Sequence, residues 1–242
     1  MTNQENSSAD RFHLPLFQGE EHPCPYLPGR IATEEFAVCG SVAPATYQTL
    51  MNLGFRRSGR TVYRPVCEGC RECVPIRVPV ERFRPSRSQR RVLRRNADVS
   101  VETGVPTCTA EKWRLYVSYL RFQHDGTMSE DLESFREFLY SSPTETIEMV
   151  YRVEGRLVAA GIVDVCPDCL SSVYCYFDPA ESWRSLGVFA ALYEIAECRR
   201  RGLPYWYIGF YVRDCGRMNY KAHYRPCELL GPDGEWRPMA HP

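Results

Sequence analysis

The stretch from residue 146 to residue 210 constrains this chain most, because its apolar pattern switches from a strand period to a helix period and back. Thr146 to Val153, Leu157 to Val165 and Leu170 to Phe177 are β-branched and apolar runs, parted by Glu154-Gly155-Arg156 and by Cys166-Pro167-Asp168-Cys169. Runs of that length with breaks that short read as three consecutive antiparallel strands. Gly187 to Arg201 then places Phe189, Leu192, Ile195 and Ala196 on one helical face, Gly202-Leu203-Pro204 stops it, and Tyr205 to Phe210 returns as a strand. Two helices are expected ahead of the strands. One spans Ala110 to Gln123, with Trp113, Tyr116, Val117 and Leu120 at helical spacing; the other spans Glu130 to Ser141, with Leu132, Phe135 and Leu139. Two helices, three strands, a helix and a strand make a layered α+β architecture.

That order is similar to a GNAT-type acyltransferase domain, expected over residues 106–242. A smaller mixed N-terminal domain is expected over 11–105, behind a disordered polar tail over 1–10. In that domain Ile31 to Val38, Arg60 to Val66 and Val74 to Val80 read as strands, and Pro44 to Leu53 as a helix with Gly54 at its C-cap. With 242 residues, 44% of them apolar, one large core or two modest ones can be buried. GNAT enzymes that use acyl-CoA hold its pyrophosphate on a Q/R-x-x-G-x-G/A turn at the start of the central helix. Arg184 and Gly187 fit that turn, but Phe189 stands where a small residue belongs, and its ring is expected to crowd the phosphate. An acyl carrier other than CoA is therefore the expectation.

The formal net charge is zero, so a polyanion must be held by local clustering of positive charge. From Arg82 to Arg95 there are seven arginines and no acid, spaced by Phe83, Ser86, Ser88 and Gln89, of which the two serines and the glutamine are further hydrogen-bonding partners for phosphate and sugar. Arg84, Arg87, Arg90, Arg91, Arg94 and Arg95, with Arg184, are the candidates for binding RNA. Met1 to Asp10 is polar, with no leader-like apolar stretch, and no run of about 18 apolar residues occurs. A cytoplasmic protein without a membrane span is expected. Its twelve cysteines should then be reduced. Cys67, Cys70 and Cys73 form a C-x-x-C-x-x-C triplet, with Cys24 as the nearest fourth ligand for zinc or an iron–sulfur cluster. Free thiols are the other reading, and Cys166 and Cys169 form a competing pair. Around Tyr220 and Lys221, beyond the last strand, cations beside aromatic rings suit a base or a carboxylate.

Several long segments then carry a specific likeness. YCYFDPAESWRSLGVFAALYEIA (174–196), PYWYIGFYVRDCGRMNYKAHYRPCELL (204–230), GFRRSGRTVYRPVCEGCRECVPIRV (54–78), SRSQRR (86–91) and CPYLPGR (24–30) resemble, in order, the arginyl-tRNA–protein transferase family. The short chain, SQRRVLRRN and the spaced cysteine triplet are most similar to its bacterial branch, which moves leucine from leucyl-tRNA onto N-terminal Asp or Glu and so marks proteins for the N-degron route. The resemblance implies those partners, with arginyl-tRNA as the alternative donor, and no required cofactor. The eukaryotic branch has a C-G-Y-C pair where this chain has Cys24-Pro25-Tyr26-Leu27, so one ligand of that family's iron–sulfur cluster is replaced at Leu27. It further implies Arg77, Arg90, Arg91 and Lys221 as candidates for the acceptor's carboxylate. Asp178, Tyr176 and Tyr220, with Lys221, are candidates at the reacting aminoacyl end. Acyl-CoA N-acetylation and non-catalytic RNA binding are the competing expectations.

Overall fold

The computed structural model describes residues 13–123 and 128–240. The tail expected over 1–10 lies outside the described residues. The first part of the chain contains β1 (Phe17–Gln18), β2 (His22–Pro23), β3 (Ile31–Ala32), β4 (Glu34–Val38), α1 (Pro44–Asn52), β5 (Arg56–Ser58) and β6 (Thr61–Pro65). Four of these strands form an antiparallel sheet in the order β1-β4-β6-β5, and β2 pairs with β3. The strand expected over Ile31 to Val38 is divided at Thr33, whose carbonyl accepts from the Val66 amide at 2.8 Å and whose own amide points to the Cys67 sulfur at 3.5 Å. Helix α1 stops at the expected glycine. Gly54 has φ +89°, and the Gly54 and Phe55 amides return to the carbonyls of Met51 and Leu50.

The rest comprises β7 (Val74–Pro79), α2 (Arg87–Arg95), β8 (Ser100–Gly104), α3 (Ala110–Gln123) and α4 (Leu132–Phe135), which continues into a π-helical turn at Arg136–Tyr140. Then come β9 (Thr146–Val153), β10 (Arg156–Cys166), β11 (Cys169–Phe177), α5 (Leu186–Arg200), β12 (Tyr205–Tyr211), α6 (Gly216–Asn219), β13 (Glu228–Leu230) and β14 (Trp236–Pro238). An eight-stranded sheet runs in the order β14-β13-β7-β12-β11-β10-β9-β8, so strands from both sides of residue 105 share it. The expected α+β acyltransferase core is present as β9, β10, β11, α5 and β12. Glu154 and Gly155, both with positive φ, make the two-residue turn that joins β9 to β10. Strand β10 is buried on both faces. The α5 side of the sheet packs Ile76, Val78, Tyr151, Ile195 and Trp206, and the α3 side packs Tyr116, Phe135, Ile162 and Tyr176.

The N-terminal sheet is tied to the large one by a buried ion pair. Arg57 on β5 grips both oxygens of Asp164 on β10 at 2.6 to 3.0 Å, with neither side chain exposed, and the Thr146 hydroxyl adds a bond at 2.7 Å. Helix α5 makes the crossover between β11 and β12, which run parallel and pair only from Cys169↔Tyr205 to Ser171↔Tyr207. Beyond that the two strands part. The register of β12 on β7 also shifts between Tyr207 and Phe210, where Gly209 takes φ +87°. The outcome is an opening at the C-terminal ends of two parallel strands, the usual position for a ligand in such a sheet.

Candidate active site

The opening between β11 and β12 has an acid beneath it. Glu194 on α5 is 1% exposed; the Trp206 indole N–H donates to it at 2.7 Å and the Ser172 hydroxyl at 3.4 Å. Burial pushes its carboxyl up to about 7, against the pull of those two hydrogen bonds. Cys175 on β11 faces the same cluster, and burial with the nearby Glu194 raises its thiol, so it is held protonated and unreactive. Tyr220 is 42% exposed, yet the protein around its phenol, then Cys175 and Glu194, push it up to about 12. It therefore stays a hydrogen-bond donor at neutral pH. Glu194 is not among the candidates named from the sequence, although it interrupts the apolar stripe of α5 between Ala191 and Cys198.

Next to Tyr220, the Lys221 amine donates to the Phe210 carbonyl at 2.7 Å and is buried behind β12. Burial first, then the Arg56 charge, pull it down to about 7. Gly209, beside it, takes φ +87°, a conformation that favours glycine, and a Cβ there would lie in ordinary contact with the lysine nitrogen at 3.5 Å. Both lysines of the chain are interior, since Lys112 is also buried, paired with Glu148.

Several residues expected at the site are engaged elsewhere. Tyr176 is fully buried on the α3 side, where its hydroxyl meets that of Tyr140 at 2.9 Å, and Tyr140 donates to Glu148 at 2.8 Å. It belongs to a core network and not to the opening. Asp178 caps the 3₁₀ turn Pro179–Arg184 by accepting the Ala180 amide at 2.9 Å, and its other oxygen pairs with Arg156. Arg184 is buried against Asp98, at 2.8 Å through two bonds, and against Glu181 at 2.7 Å, which removes it from the RNA-binding candidates. Arg77 is removed from the acceptor-binding candidates because it pairs with Glu228 at 2.8 Å and is stacked between Tyr205 and Trp236. Phe189 does not crowd a phosphate: its ring is turned into the core against Tyr151. Phe189 still departs from the small residue of the acyl-CoA turn, and the Arg184 guanidinium at the start of that turn is held by Asp98 and Glu181.

The arginine run forms α2, a helix that sequence periodicity did not reveal. Ser86 and Gln89 make a reciprocal capping box and so are not free for phosphate. Gln89 and Val92 are buried, while Arg84, Arg87, Arg90, Arg91, Arg94 and Arg95 are all exposed. The structure thus brings six of the predicted basic residues onto one surface.

Cys24, Cys67, Cys70 and Cys73 line one cavity of about 110 Å³ with Tyr26, Leu27 and Tyr63. The Leu27 amide points to the Cys24 sulfur at 3.4 Å, and burial with the neighbouring cysteines pushes the Cys73 thiol up to about 12. Among the described residues, no three His, Cys, Asp or Glu side chains are placed to hold a metal ion. Among the described residues, no helix is long and apolar enough to cross a membrane.

Known proteins match over the same elements. The family model described as arginine-tRNA-protein transferase, N terminus, matches residues 22–91, and its C-terminus counterpart matches residues 111–231. The aspartate/glutamate leucyltransferase of Marinobacter nauticus is 42% identical over 231 residues, covering 94% of this chain and 97% of that protein. The protein of the same name from Chromobacterium violaceum is 36% identical over 242 residues, covering 99% of each. Among solved structures, L-PGS from Bacillus licheniformis aligns with a TM-score of 0.45 and 13% identity over 69% of this chain and 58% of that one. On the family models and the full-length relatives, the chain belongs to the arginine-tRNA-protein transferase family.

Proposed function

We propose that this protein transfers leucine from leucyl-tRNA to the α-amine of proteins that begin with Asp or Glu, which marks them for degradation by the N-degron route. The observation that carries this reading is 42% identity, over 94% of the chain, to a protein named for leucyl transfer to aspartate and glutamate. Two features support it. The exposed arginines of α2 offer guanidinium groups to RNA phosphates, and Arg184, engaged with Asp98 and Glu181, offers none to a CoA pyrophosphate.

In the reaction, the neutral acceptor amine attacks the ester carbonyl that joins leucine to the terminal ribose. A C–N bond forms, the C–O bond to the ribose breaks, and the ribose oxygen takes the proton that the amine loses. An α-amine has a pKa of about 8, so a useful fraction is already neutral at physiological pH. The ester is an activated acyl donor, and positioning with one well-placed donor to the carbonyl oxygen supplies much of the rate. Tyr220, half-exposed at the opening and held protonated, is the donor we assign to that oxygen. Lys221 fixes the end of β12 through the Phe210 carbonyl and so positions its neighbour. Of the cations considered for the acceptor's carboxylate, Arg90 and Arg91 remain exposed.

The test is incubation of the protein with charged leucyl-tRNA and peptides that start with Asp, Glu, Lys or Arg. Leucine should appear on the two acidic peptides alone. Transfer to the basic peptides, or none from leucyl-tRNA, overturns the reading.

A further inference from the structure

Trp183 stands apart from the other three tryptophans. Those have their indole N–H groups bonded, Trp113 to the Glu130 carbonyl at 3.2 Å, Trp206 to Glu194 at 2.7 Å and Trp236 to Asn52 at 3.1 Å. Trp183 is 55% exposed, and its indole N–H is the exception among the described residues. A large apolar ring left in water carries a cost, and the turn that carries this one is tied down at its backbone.

Its carbonyl accepts from Arg95 at the end of α2, and the carbonyl of the next residue, Arg184, accepts from Asn96 at 2.9 Å. The Arg184 guanidinium, itself clamped by Asp98 and Glu181, lies 4.5 Å from the ring centroid. The ring therefore sits on a fixed turn at the C-terminal end of the arginine helix. The carboxylates nearby, Asp98, Asp178 and Glu181, are each paired with Arg184 or Arg156, while Arg87, Arg90, Arg91 and Arg94 of the adjoining helix are exposed. The turn also connects β11 to α5, at the end of the sheet where β11 and β12 separate.

We propose that Trp183 is a stacking platform for a base of the single-stranded 3′ end of the donor tRNA, a role that rests on the leucyl-tRNA reading above. A fixed, exposed aromatic ring beside a track of guanidinium groups is the combination that binds single-stranded nucleic acid, with the cations on the phosphates and the ring on a base face. Stacking there holds the end that carries the leucyl ester at the rim of the opening. Because every base presents a π-face, the platform itself does not require a particular base.

The experiment measures equilibrium binding of wild-type, Trp183→Ala and Trp183→Phe proteins to uncharged tRNA and to the same tRNA with its single-stranded 3′ end removed, with folding of each variant checked by circular dichroism. Wild type should bind the truncated RNA about tenfold or more weakly, Trp183→Ala should bind both RNAs as wild type binds the truncated one, and Trp183→Phe should keep most of the difference. If Trp183→Ala matches wild type on both RNAs, or weakens both equally, the stacking role is overturned while tRNA binding stands. Failure of the wild-type protein to bind tRNA overturns both this role and the leucyl-tRNA reading.

Discussion

Replacing Glu194 by Gln isolates the buried acid beneath the candidate site. The substitution keeps an oxygen for the Trp206 indole, which donates at 2.7 Å, and removes only the ability to ionise. Burial raises the carboxyl from 4.5 to about 7, and a change of that size corresponds to about 3 kcal/mol. Because the folded state holds this proton more tightly than the unfolded chain, the contribution is fully present below pH 4.5 and is lost as pH rises through about 7. Urea unfolding of both proteins at a series of pH values should show wild-type stability falling across that window relative to Glu194→Gln. Above pH 8 the variant should be the more stable by an amount approaching about 3 kcal/mol. Parallel stability curves for the two proteins would refute the reasoning, because they would mean that Glu194 titrates alike in the folded and unfolded chain.

Asp164→Asn leaves Arg57 as a buried charge without its counter-ion and should cost about 3–5 kcal/mol, read from urea midpoints. Asp178→Asn keeps a capping residue and loses a pair with the half-exposed Arg156, so transfer should be unchanged and stability should drop by less than about 1 kcal/mol; a large loss of transfer would restore a catalytic role for that carboxylate. Replacing Arg90, Arg91 and Arg94 together by Ala should lower the slope of log binding constant against log salt for tRNA by about two to three, and an unchanged slope would move the RNA surface away from α2.

Periodicity and turn chemistry carried most of the acyltransferase core. The Glu154-Gly155 and Cys166–Cys169 breaks and the stripe of Phe189, Leu192 and Ile195 on α5 were each legible within a short window. That same stripe already placed Phe189 on the buried face, which argues against its ring meeting a phosphate. Helix α2 has no apolar period to announce it, because the run is almost all arginine with only Val92 and Gln89 buried; the Ser86…Gln89 capping box is its one local signal. A local window shows Glu181 three residues before Arg184, but not the partners that complete the engagement of Arg77 and Arg184. Their partners Glu228 and Asp98 lie far along the chain, and the fold alone brings them together. For Glu194 the signal was local but negative, an acid on an apolar face, and its meaning depended on β11 and β12 parting above it.

The most direct test of leucyl transfer is a competition between donors. Equal amounts of leucyl-tRNA and arginyl-tRNA are offered together to one peptide that begins with Asp, and the product's N-terminus is identified by mass spectrometry. Addition of a single leucine to the α-amine is the expected result, and addition of arginine, or of neither, contradicts the proposed function.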